Sequence, residues 1–146
     1  MGCCGHDFPS AQKIRDAIGE NTVEFRSARP QSEADFRAFR DRRSPMDLRE
    51  GVCRNLISED GCTLCPLHPA RHQGEDLRIN HCDTDYLCKT AKTFAKWDIE
   101  KQDAFIKFIQ NQNLDNITYS LKMDQGIILK EFCDQEEEKN PSFSVK

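Results

Sequence analysis

The chain has 146 residues, 37% of them apolar and 32% charged, which suits one compact domain with a modest core and a heavily solvated surface. A formal net charge of -4 gives no global basic field for nucleic acid or an anionic membrane. No apolar run approaches the roughly 20 residues of a membrane helix, and the N-terminus meets Asp7 and Pro9 before any signal-like apolar stretch. The expectation is a cytoplasmic protein.

In chain order, MGCCGHDFP is a short lead, and Ser10 is placed to cap a helix with Ile14, Ala17 and Ile18 on one face, ending at Gly19. Thr22–Ser27 alternates, with Val23 and Phe25 on one side, and reads as a brief strand. Ser32 and Asp35 have capping-box spacing ahead of Phe36 and Phe39, and Ser44-Pro45 stops that helix. The arginines beside it, Arg37, Arg40, Arg42 and Arg43, alternate with Glu33, Asp35 and Asp41, the pattern of a salt-bridged face rather than an anion site.

Val52–Ile57 and Cys62–Leu64 flank Ser58-Glu59-Asp60-Gly61, a turn signal, and so predict a small hairpin, followed by a loop over 66–80. From about Thr84 the period becomes helical. Leu87, Ala91 and Phe94 recur first, then Phe105, Phe108 and Ile109, then Leu114, Ile117 and Leu121, with Asp98 and Asp115 as N-caps of the later helices. Ile127–Leu129 with Phe132 is an apolar run of either type, and the acidic tail after Cys133 is expected to fray. Residues 1–146 thus form a single mostly helical α+β domain. Within it 45–90 is a cysteine-rich metal-binding region, 91–133 a helical body and 134–146 an acidic tail. A metal-stabilised hairpin and loop are expected to pack on that body.

Eight cysteines in a chain this short point to disulfides in an exported protein and to metal in a reducing compartment. Cys53, Cys62, Cys65, Cys82 and Cys88 are the candidate ligands, with His68, His72 and His81 among them. Cys62-Thr63-Leu64-Cys65 has the C-x2-C spacing by which a tight turn aims two sulfurs at one ion. The hairpin turn is expected to return the chain to Cys53, so that Cys53, Cys62 and Cys65 share the ion. Cys82 or Cys88 would close the site from the start of the helix that follows, capped by Asp83 or Thr84. Cys3 and Cys4 could join this site or form a second one with His6.

The stretch from Cys53 through Asp60-Gly61-Cys62 to Arg71 resembles part of the CxxCxxCC family of zinc- or iron-chelating proteins. Its members carry a cysteine, an apolar strand, an acidic-glycine turn and a second cysteine at the same separation. Cys53, Leu56, Asp60, Gly61 and Cys62 match that pattern, and the resemblance implies metal binding.

The functional expectation is a cysteine-rich zinc site of structural kind, supporting a binding or scaffold role. Thiolates closed around a tetrahedral ion leave no open position for hydrolysis, which argues against an enzyme. The alternative is a [4Fe–4S] cluster or a thiol redox protein, an oxidoreductase. The metal ion is the one partner the sequence names. Nucleic acid is disfavoured, and neither a membrane nor a particular protein partner is indicated.

Overall fold

The computed structural model describes residues 4–139, the side chain of residue 139 excepted. Cys3 and the last part of the acidic tail lie outside them. The described residues form six α-helices and two small antiparallel sheets, the mostly helical α+β class expected. The chain divides into two compact units, Met1–Tyr86 and Leu87–Lys146, the division falling just before the expected start of the helical body.

In the first unit α1 runs Ala11–Ala28 and α2 Glu33–Asp41. Ser10 caps α1 by accepting a hydrogen bond from the Lys13 N–H at 3.2 Å. The helix does not stop at Gly19, and the strand expected at Thr22–Ser27 is its second half. The alternation misled because Val23 faces solvent, while Asn21 and Thr22 turn inward. Thr22 satisfies its hydroxyl helically, donating to the Ile18 carbonyl at 2.7 Å and accepting from the Ser58 N–H at 2.9 Å. Arg29, in the left-handed region (φ 44°), ends the helix. The capping box of α2 is present, Ser32 and Asp35 each accepting from the other's backbone N–H.

Two hairpins follow. β1 (Leu48–Arg49) pairs with β2 (Val52–Cys53) around Glu50-Gly51, and β3 (Ile57–Glu59) pairs with β4 (Cys62–Leu64) around Asp60-Gly61. Both turns have positive φ at both central residues, 50° and 78° in the first and 50° and 77° in the second, the two-residue geometry matched to strand twist. The first hairpin was not foreseen, since Glu-Gly is outside the usual Asn-Gly and Asp-Gly signals. α1 packs mainly against β3. The loop after β4 contains one 3₁₀ turn, Pro69–Arg71.

The second unit comprises α3 (Lys89–Phe94), α4 (Ile99–Gln112), α5 (Asn116–Asp124) and α6 (Ile127–Lys139). Its core is aromatic: Trp97, Phe105 and Phe132 meet with ring centroids 5.1–5.6 Å apart, mostly tilted or edge-on. Asp98 and Asp115 cap α4 and α5 as expected. α3 starts later than the periodicity suggested, with Cys88 itself at the N-cap, not a turn inside the helix. Helix α6 continues through the acidic residues as far as Lys139. Among the described residues no helix is long and apolar enough to cross a membrane.

Candidate metal centre

β2 is the central strand of a small three-segment ladder. On one side it pairs with β1. On the other, the N-terminal residues run antiparallel to it, with Gly5 bridged to Val52, the Cys53 N–H donating to the Cys4 carbonyl at 3.0 Å, and the His6 N–H donating to the Gly51 carbonyl at 2.9 Å. The approach is so close that a Cβ on Gly5 would stand 2.2 Å from the Gly51 carbonyl oxygen, and one on Gly51 2.4 Å from that of His6. Gly5 also has φ +136°, a conformation that disfavours any other residue. The lead peptide is therefore built into the fold by its glycine.

Strand alternation then sorts the side chains. Val52 faces the core, where it is fully buried. His6 and Cys53 line one pocket, and Cys4 stands directly across from Cys53 in the ladder. Leu48, paired with Cys53, lines that pocket too.

The segment before Tyr86 covers it. Leu77 is buried, and its carbonyl accepts from the Arg40 guanidinium of α2 at 2.9 Å. Arg78 is locked by two hydrogen bonds to the Asp76 carboxylate, at 2.8 and 2.7 Å, and this contact above all draws the Asp76 pKa down to about 2. The backbone then folds back on the Arg78 carbonyl, which accepts from both the His81 and the Cys82 N–H, and the Met46 N–H reaches the His81 carbonyl at 3.0 Å. A pocket of about 70 Å³ results, lined by His6, Leu48, Cys53, His81, Cys82 and Tyr86 among others. A cavity of about 10–15 Å³ already holds a water, so an ion fits.

The five expected ligands are placed differently from one another. Cys53 and Cys82 line this one pocket. Cys62 is exposed at the turn end of the β3–β4 hairpin, while Cys53 precedes that hairpin's open end and belongs to the other sheet. The Asp60-Gly61 turn therefore does not bring Cys53 beside Cys62. Cys62 and Cys65 do not form a knuckle turn either: β4 runs extended from Cys62 to Leu64, whereas C-x2-C spacing aims two sulfurs at one ion only in a tight turn. Cys65 is half-buried just past β4. Cys88 is buried in the second unit, where its Sγ accepts from the Ala91 N–H at 3.5 Å. Among the described residues, no three His, Cys, Asp or Glu side chains already stand together as a group able to hold a metal.

The histidines divide as well. His68 accepts from the Ala70 N–H, and His72 binds the Pro66 carbonyl at 2.7 Å and packs edge-on to Phe36, so both are engaged in shaping the loop. His81 is buried, and burial, then the Arg40 and Arg42 guanidiniums, lower its pKa against the opposing pull of Asp41. Its ring is thereby kept neutral at pH 7.

Behind the site a polar network holds β2 in place. The buried Asn21 side chain donates to the Cys53 and Leu56 carbonyls at 2.9 and 3.1 Å, fixing the turn between the two hairpins. Glu24, one turn along α1, pairs with Arg42, Arg49, Arg43 and Arg54. Burial alone would raise the Glu24 pKa, but hydrogen bonds from Arg49 and Arg42 outweigh it and leave it lowered. The arginines read from sequence as a solvated face are in part this clamp.

No family model, curated protein or solved structure matches the chain.

Proposed function

We propose that this is a zinc-binding protein whose ion is structural, held by thiolates that include Cys53 and Cys82. The observation that carries this reading is their meeting at one small pocket, although they are 29 positions apart in sequence (82 − 53) and come from different segments, strand β2 and the loop before Tyr86. Cys4 supports it from directly across β2. Once a fourth protein donor completes the tetrahedron, such a site is closed and leaves no open coordination position for hydrolysis. The ion would fasten the N-terminal segment, β2 and the loop ending at Tyr86, and the surface so fixed would serve binding rather than catalysis.

Metal analysis of freshly purified, colourless protein tests this. About one zinc per chain is expected, with Cys53→Ser and Cys82→Ser each losing it and Cys62→Ser retaining it. Brown protein containing iron and sulfide would favour the cluster alternative. Full zinc content in both Cys53→Ser and Cys82→Ser would overturn the assignment.

A further inference from the structure

We propose that His6 supplies the nitrogen donor of this centre through Nε2, with Asp7 as its orienting carboxylate, giving a three-cysteine, one-histidine zinc site. The inference rests on the metal reading above and goes further, since it names the fourth ligand and gives the N-terminal strand a task.

His6 stands at the site. Its ring lines the same pocket as Cys53 and Cys82, and it lies two residues from Cys4, whose carbonyl accepts from the Cys53 N–H. It is held from two directions. Its ring stacks on Tyr86, with centroids 4.7 Å apart and planes 25° from parallel. Its Nδ1 is 2.6 Å from Oδ2 of Asp7. A carboxylate only accepts, so Nδ1 donates in this contact, which leaves Nε2 as the nitrogen a metal ion would take. A ligating histidine characteristically has this arrangement, one nitrogen for the ion and the other donating to a carboxylate that fixes tautomer and plane. Nothing in the fold requires it, because Asp7 is exposed and its bond to His6 closes no core.

β2 is pinned by Asn21, so an ion held between Cys53, Cys82 and His6 would fasten residues 4–7 and the loop bearing Cys82 to a fixed strand. The ion acts as a clasp for the N-terminal strand.

Cobalt(II) substitution into the full chain is the test, because its visible bands report how many sulfur and nitrogen donors surround the metal. Wild-type protein should give the spectrum of three thiolates and one imidazole. Replacing His6→Ala should change that spectrum and weaken zinc at least about 100-fold, whereas Asp7→Asn should keep the donor set and weaken zinc about 10- to 100-fold. Proton release read separately with Asp7→Asn keeps the test valid if His6→Ala fails to fold. A four-sulfur spectrum in wild-type protein, with Cys3 or Cys65 completing the set, overturns the role of His6 and leaves the zinc reading standing. Unchanged spectrum and affinity in His6→Ala overturn it equally. Wild-type protein that binds neither zinc nor cobalt removes the metal reading itself.

Discussion

Between Pro45 and Tyr86 the large apolar side chains that are buried are Val52, Leu56, Ile57, Leu67 and Leu77, spread over two sheets of two or three residues per strand and a long loop. In Leu87–Lys146 the rings of Phe94, Trp97, Phe105, Phe108 and Phe132 form one continuous cluster, with Met123 and Ile128 also buried in the unit. The helical unit has its own hydrophobic reason to fold. The cysteine-rich stretch leans on Asn21, on the arginines around Glu24, on Arg78 with Asp76, and on the proposed ion. Two-residue strands contribute too few contacts to persist alone, so removing a polar or metal anchor there should be felt across the stretch.

The largest expected effect follows from that contrast. Chelating the metal should raise amide exchange through residues 45–86 and release the N-terminal strand, because in such a site binding energy is folding energy. The amides of α4 and α6 should keep their protection. Exchange rising uniformly along the whole chain would break the distinction between the units, and exchange unchanged everywhere would remove the ion from the account of stability.

Phe105→Ala asks the reciprocal question. Phe105 is 1% exposed and touches Phe94, Trp97, Phe108 and Phe132, so its truncation should destabilise the helical unit by about 3–5 kcal/mol. Denaturant unfolding followed by Trp97 fluorescence measures this. Metal content should stay at the wild-type value. Zinc lost in parallel would mean that the units do not fold independently.

What sequence made legible follows the range of the forces involved. The capping box at Ser32 and Asp35, the caps at Asp98 and Asp115 and the Asp60-Gly61 turn are decided within four residues, and each is where the pattern placed it. The aromatic core was visible as helical periodicity. The candidate site was legible only in part, since Cys53 and Cys82 were expected in one site and line one pocket, but Cys62 and Cys65 were expected there with them. Cys62 and Cys65 have ligand spacing, yet that spacing aims two sulfurs together only in a turn, and β4 is a strand. Pairing of Cys4–His6 with β2 is a contact across more than forty residues. Its one local trace is Gly5, whose missing Cβ makes room for Gly51. Two glycines in GCCG and EGVC carry no register by themselves.

The smallest effect concerns the element that sequence misread most. Gly19 lies in the middle of α1, exposed, and beyond its own helix backbone nothing stands within 4 Å of the place a Cβ would occupy. Glycine there contributes nothing to packing and only widens the choices of the unfolded chain. If α1 is one helix from Ala11 to Ala28, Gly19→Ala should stabilise the first unit by about 0.5–1 kcal/mol and raise its melting temperature by roughly 2–6 °C. Thermal melting followed by far-ultraviolet circular dichroism, with metal held constant, would show it. Were the helix instead to end at Gly19 with a strand after it, the glycine would serve as a left-handed cap and alanine would destabilise. The sign of a small shift therefore decides whether Asn21 and Glu24 stand on a continuous helix, as they must to hold β2 and its cysteine against α1.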